Sequence, residues 1–310
     1  MDLNLAISAL SLSFLMILVF QKIFLKKSII DDIKHRSSHS AIATRSGGLA
    51  IFSTIFLISI FNYFIGITIF DYSFLIPIGL LVSIGLYDDI YNVDFKLKFI
   101  FQIIAAKMII DGGLMIDNFH GLFGIYEINR LIAHIVTIFI IVAIINAMNF
   151  IDGIDGLAIS ILSLFLILFE SSSTNPTGLE NLTTIIIFTL IPIYYFNFRK
   201  NKKVFLGDSG SLMIGGFTSV YVLNIVSNEY LIREDFDVNK IIFVFSVLSY
   251  PIIDIIRITI KRIIEKRSPF EADKNHIHHI LLGKVKDHFK VVTIILILSI
   301  LIFYLVKIIV

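Results

Sequence analysis

Apolar runs follow one another along the whole chain, each cut off by a short cluster of Gly, Asn and charged residues. Ten runs stand out, at roughly 4–21, 48–69, 73–87, 97–111, 131–147, 156–170, 183–198, 209–226, 240–258 and 291–310. Crossing about 30 Å of hydrocarbon takes roughly 17 to 25 such residues in a helix, fewer where neighbours shield it. The pattern predicts an all-α, polytopic integral membrane protein of about ten transmembrane helices, ten or eleven given that the third, fourth and sixth runs are short. No internal repeat, soluble domain or low-complexity tail interrupts it, so residues 1–310 read as a single integral membrane domain. The first run follows Met1-Asp2 without a basic leader or small-residue cleavage site, which predicts a retained helix and not a signal peptide.

Composition agrees: 57% of the 310 residues are hydrophobic and 16% charged, with a mean hydropathy of +0.91. A net charge of +2 carries little information by itself, and no nucleic-acid patch is indicated. Where the charges fall is more informative. If ten helices alternate, one side carries the loops at about 22–47, 88–98, 146–155, 199–207 and 257–290, and these hold 21 of the 26 Lys and Arg. The positive-inside rule makes that side cytoplasmic and puts both termini outside. The absence of Cys excludes disulfides, thiolate catalysis and thiolate-bound zinc.

Every polar cluster lies on the predicted cytoplasmic side. The densest is Asn146 to Ala158, where Asn146, Asn149, Asp152 and Asp155 recur every third residue with Gly153 and Gly156 among them. On a helix or tight turn this spacing gathers the four polar groups along one side, and the glycines allow close backbone approach to a ligand. An ordinary turn with a helix cap needs one such residue, not four. Asp88-Asp89 closes the third run, with Lys98 and then Gln102 on successive turns beyond it; adjacent carboxylates suit a cation or a proton to be taken. Arg45 precedes Gly47-Gly48 at a helix entrance, where backbone N–H groups can meet an anion, although a plain basic flank reads equally well. His35-Arg36-Ser37-Ser38-His39 precedes it in the same loop. Gly207-Asp208-Ser209-Gly210-Ser211 frames one carboxylate with two glycines at another helix entrance, a setting for hydrated Mg²⁺ and phosphate oxygens. Finally His276-Ile277-His278-His279 packs three imidazoles into four residues. No His-Glu-x-x-His spacing accompanies them, so contact with a diphosphate or sugar is preferred over zinc.

These motifs, in this order and on one membrane face, resemble the polyprenyl-phosphate N-acetylhexosamine-1-phosphate transferase family, glycosyltransferase family 4. The resemblance rests on Asp88-Asp89, Asn146 to Leu157, Gly207 to Ser211 and His276 to His279, and it spans nearly the whole chain. The interrupted His pattern, after Ala272-Asp273-Lys274-Asn275, is similar to the undecaprenyl-phosphate N-acetylglucosamine-1-phosphate transferase branch. The peptidoglycan branch, phospho-N-acetylmuramoyl-pentapeptide transferase, usually carries three consecutive His. The first loop lacks the Pro often found near Thr44-Arg45, and ten helices are one fewer than the eleven often assigned to the N-acetylglucosamine-1-phosphate transferase branch.

The resemblance implies attack of undecaprenyl phosphate on the β-phosphorus of a UDP-N-acetylhexosamine, giving UMP and the lipid-diphospho-sugar that begins a cell-envelope polysaccharide. It implies a Mg²⁺-dependent, or Mn²⁺-dependent, multi-pass enzyme of the plasma (inner) membrane, with its active site on the cytoplasmic face; a homodimer is compatible. It further implies Asn149 and Asp208 as metal ligands, Asp88 or Asp89 as base or metal support, and Asp152 and Asp155 as ordering groups. Arg45, Lys98, Asn146, His276, His278 and His279 would bind substrate. An ion-coupled secondary transporter is the alternative from another class, since intramembrane carboxylates also mark ion paths. Its sites lie near the membrane midplane, whereas these clusters sit at helix ends.

Overall fold

In the computed structural model, residues 2–30, 43–173, 176–227, 240–268 and 275–309 are described. The stretches at 35–39, 229–237 and 269–274 lie outside the described residues. Twelve helices occur among the described residues: α1 Leu3–Lys26, α2 Gly47–Phe64, α3 Leu75–Tyr91, α4 Phe95–Asp111, α5 Arg130–Ile151 and α6 Leu157–Ser172, then α7 Glu180–Phe198, α8 Gly207–Ser227, α9 Lys240–Val247, α10 Ser249–Ile264, α11 Ile277–Val285 and α12 His288–Ile309. The architecture is all-α and membrane-embedded, as expected from the apolar runs.

The count of ten spans is not reached among the described residues. Seven helices are long and apolar enough to cross a membrane, and eight if α9 and α10 count together. At 17 residues, α4 is short and carries Lys96, Lys98, Lys107 and Asp111; α6 has 16 residues. The run at 240–258 is not one rod, because α9 and α10 meet at 78°. Pro251 explains the break: it has no N–H to extend the ladder of α9, and in the first turn of α10 it needs none.

One helix organises the bundle. Nearly all of α8 is buried, packed between α2, α3 and α5, whereas α12 and the outer face of α5 expose large apolar side chains such as Ile308 and Phe139. Lipid, not water, covers such faces. Helices approach this closely only where small residues meet. A Cβ on Gly48 of α2 would lie 2.1 Å from the backbone nitrogen of Gly210, and one on Gly85 of α3 would lie 2.5 Å from the backbone of Ser209. These contacts press the ends of α2 and α3 against the first turn of α8, where Asp208 sits.

A two-residue parallel ladder fastens the same end. Strand β1, Ala43–Thr44, pairs with β2, Lys203–Val204, with Ala43 opposite Lys203. The pairing continues as Gly47 and Gly48 donate their N–H groups to the carbonyls of Phe205 and Leu206. The entrances of α2 and α8 are thereby held side by side, and Arg45 projects from the segment between.

Candidate active site

The two adjacent acids of α3 serve different partners. Asp89 is fully buried and accepts the backbone N–H groups of Asp208 at 2.9 Å and Ser209 at 3.1 Å, capping the first turn of α8 from another helix. Arg45 Nη1 stands 3.8 Å from the same carboxylate. Asp88 instead accepts the N–H of Val93 at 2.7 Å, a bond made possible by the left-handed backbone of Asn92 in the short α3–α4 turn. Its other oxygen takes a hydrogen bond from Lys98 Nζ at 3.0 Å, and the same ammonium reaches Asp208 at 2.8 Å.

The four polar residues expected to line one side diverge, because α5 runs on to Ile151 and only then breaks. Asn146 is buried on the helix and donates to Gln102 Oε1 at 2.7 Å. Asn149 donates to Ser211 Oγ at 2.7 Å and approaches Asp208 at 3.4 Å, so its carbonyl oxygen is left for another partner. Asp152, just past the helix, lines the cleft with them. Burial, then the carboxylates of Asp208, Asp89 and Asp155, push the Asp152 carboxyl well above its usual range. Asp155 turns away from the cleft. It pairs with Lys203 of β2 and with His288 Nδ1 at 3.1 Å, at the head of α12. Burial alone would raise the Asp155 carboxyl, but these two partners outweigh it and hold it below the ordinary value.

The three imidazoles also separate. His276 and His279 line the cleft, whereas His278 is fully buried behind it. Its Nδ1 is 2.9 Å from Tyr250 Oη, and its Nε2 has no hydrogen-bond partner. Burial, assisted by His279 and His276, pushes the His278 imidazole down to about 3, so it is neutral. The ring packs where Gly153 lacks a side chain: a Cβ there would lie 2.6 Å from His278 Nε2. Gly153 thus makes room for the His segment, and it also lines the cleft.

The cleft between these walls has a volume of ≈ 370 Å³. One wall carries Lys98, Asp208 and Asn149; the other carries His276, His279 and Arg262, with Asp152 between. Among the described residues no group of three acidic or His side chains could hold a metal ion by itself. An ion meeting Asp208 and the Asn149 carbonyl would therefore complete its shell with water and ligand oxygens, which is the coordination habit of Mg²⁺. The hard-oxygen donor set fits that ion.

Comparison with known proteins bears on this arrangement. The profile of glycosyl transferase family 4 matches residues 71–226, from the turn before α3 to the end of α8. A probable undecaprenyl-phosphate N-acetylglucosaminyl 1-phosphate transferase of Bacillus subtilis (strain 168) is 30% identical over 276 residues, covering 87% of this chain and 74% of that protein. The chain belongs to glycosyl transferase family 4. Undecaprenyl-phosphate alpha-N-acetylglucosaminyl 1-phosphate transferases of Pasteurella multocida (strain Pm70) and Escherichia coli (strain K12) are 31% and 27% identical to this family 4 chain. They cover 87% and 84% of it and 76% and 71% of their own lengths.

Several residues of this family 4 site carry no motif of their own. Gln102 follows Lys98 by one helical turn, so its place on the same face of α4 was legible. Arg262 was not. In sequence it is one of several basic residues after a helix, yet it is only 1% exposed, and its guanidinium lies 5.7 Å from the centre of the Phe150 ring. Asp254, on the same helix, meets His276. Lys203 belongs to a basic run that reads as a topology signal, but it pairs with Asp155.

Proposed function

We propose that this enzyme transfers N-acetylhexosamine 1-phosphate, and specifically N-acetylglucosamine 1-phosphate, from a UDP-sugar to undecaprenyl phosphate. The observation that carries the reading is the cleft, where carboxylates and cationic or imidazole groups from α4, α5, α8, α10 and the α11 segment converge at one end of the bundle, with Asp88 of α3 bonded to Lys98 in its lining. Relatives named for that reaction, at 27% to 31% identity, support it. In the reaction a lipid phosphate oxygen attacks the β-phosphorus, the bond from that phosphorus to the bridging oxygen breaks, and UMP leaves. Two anions must meet, so positioning and charge neutralisation do most of the work.

In this reading Asn149 and Asp208 would hold Mg²⁺, or Mn²⁺ in its place, and the bound ion would neutralise the diphosphate. Lys98, already between Asp88 and Asp208, supplies a cation for phosphate oxygens. Asp88 takes the proton of the lipid phosphate. Asp89 and Arg45 fix the first turn of α8, and Asn146 with Gln102 fixes the last turns of α5. His276, His279 and Arg262 face the sugar nucleotide, while His278 and Asp155 position their segments. The cleft faces the cytoplasm at the inner (plasma) membrane, and the product starts a cell-envelope polysaccharide.

Purified enzyme, undecaprenyl phosphate and a panel of UDP-sugars test this directly. Release of UMP and formation of lipid-diphospho-N-acetylglucosamine are expected with UDP-N-acetylglucosamine and Mg²⁺. No UMP from any UDP-N-acetylhexosamine would overturn the proposal.

A further inference from the structure

On α10 two side chains one turn apart, Tyr250 and Asp254, each hold one imidazole of the His segment. The two contacts differ in kind. Tyr250 meets the sealed His278. Asp254, only 1% exposed, meets His276, which lines the cleft.

The Asp254 carboxylate accepts from three sides. His276 Nδ1 is 2.5 Å from Oδ2, while the N–H of Ile277 at 2.8 Å and Arg257 Nη2 at 3.4 Å donate to Oδ1. Arg257 also donates to the Asn275 carbonyl, so one side chain anchors both the carboxylate and the residue before His276. A carboxylate with three donors around it is an acceptor only. The proton between it and the imidazole therefore belongs to Nδ1, whether the ring is neutral or charged, and Nε2 is the polar atom left for the cleft. The Phe150 ring, 5.8 Å from the imidazole, packs against it on the α5 side.

We propose that Asp254 is a positioning residue for sugar-nucleotide binding: it fixes the proton of His276 on Nδ1 and turns Nε2 into the cleft. The proposal rests on the transferase reading above. It assigns the function of the break at Leu248 as well, because the 78° turn brings the polar face of α10, with Asp254, under the His segment.

Asp254→Asn is the informative variant, since the amide keeps an oxygen for the Ile277 N–H but presents an NH₂ to His276 Nδ1. The imidazole must then accept there and carry its proton on Nε2. In ¹⁵N-His-labelled enzyme, with the signal assigned through His276→Gln, wild type should show the proton on Nδ1 and Asp254→Asn should show it on Nε2. KM for UDP-N-acetylglucosamine should rise by about tenfold in Asp254→Asn, with kcat within about threefold, as for groups that orient a ligand-binding imidazole. The double variant Asp254→Asn, His276→Gln should bind the UDP-sugar no worse than His276→Gln alone. Full multiplication of the two effects, or an unchanged Nδ1 proton in Asp254→Asn, would overturn the proposal. If Asp254→Asn does not fold, an Nε2 proton in the wild type would do the same. A wild type that releases no UMP refutes the transferase reading instead, and the tautomer measurement still decides the Asp254 contact.

Discussion

The carboxylate of Asp89 receives the backbone N–H of Asp208 at 2.9 Å, so one acid of the adjacent pair is spent on placing another acid 119 residues away. Asp88, its neighbour, is left to Lys98, which lines the cleft. The two should fail differently on substitution. Asp89→Ala leaves two buried N–H groups of α8 unmet, which costs about 1–3 kcal/mol, and should lower the melting temperature in detergent together with activity. Asp88→Asn should keep the melting temperature and lower kcat by roughly 10²–10⁴-fold, the usual contribution of a general base. A lipid phosphate, with a second pKa of about 6, needs less help at high pH. Rates of Asp88→Asn should therefore recover toward wild type as pH rises, and an equally inactive variant at every pH would remove the base role.

Asp208→Asn and Asn149→Ala each remove a ligand oxygen or its charge from the proposed metal position. Both should lose activity chiefly at low Mg²⁺ and recover partly as Mg²⁺ is raised. Titrating initial rates with Mg²⁺ checks this, and an unchanged midpoint with a collapsed maximum would place the residue outside the metal shell.

Gly48 and Gly283 make a contrasting pair. A Cβ at Gly48 would meet the backbone of Gly210 at 2.1 Å, and backbone cannot step aside, so Gly48→Ala should prevent α2 and α8 from docking and abolish accumulation of folded protein. At Gly283, inside α11, nothing lies within 4 Å, so Gly283→Ala should stabilise the helix by about 0.5–1 kcal/mol. Fluorescence-detected gel filtration and melting curves in detergent report both.

Acid should weaken the His segment in a defined window. The His278 imidazole is pushed down to about 3 from an ordinary value of 6.5, so below pH 6.5 the unfolded chain binds a proton that the folded chain refuses. Its contribution is whole above that pH and is lost progressively as pH falls toward 3. Melting temperatures measured between pH 7.5 and 4.5 should fall, and His278→Gln should flatten that part of the profile. Parallel profiles for the two proteins would dismiss the effect.

Membrane orientation can be read with single cysteines, since the chain has none of its own. Ser209 is a poor site because it is buried; Lys200 and Glu127 are exposed at opposite ends of the fold. An impermeant maleimide applied to intact cells should label a cysteine at Glu127 and spare one at Lys200, and the reverse pattern would invert the topology.

The sequence by itself determined the helical, membrane-embedded class and the polar clusters at helix ends. Both are local properties. Length and apolar content decide what can cross hydrocarbon, and Asp88, Asn149, Asp208 and His276 stand out because charge and amide groups are costly beside such runs. The division of labour within each cluster was decided only by the tertiary structure. Asp88 and Asp89 are chemically identical neighbours, and the approach of α8 to one side of α3 makes the second a cap. Asn146 to Asp155 share a spacing, but α5 ends at Ile151 and the chain then swings Asp155 to Lys203 and His288. His276 and His278 differ by two positions, and the α11 turn sends one ring to the cleft beside Asp254 and the other to Tyr250 behind it. Each partner lies many residues away along the chain. A periodicity records which face a side chain occupies; it holds no record of which distant element the bundle will press against that face.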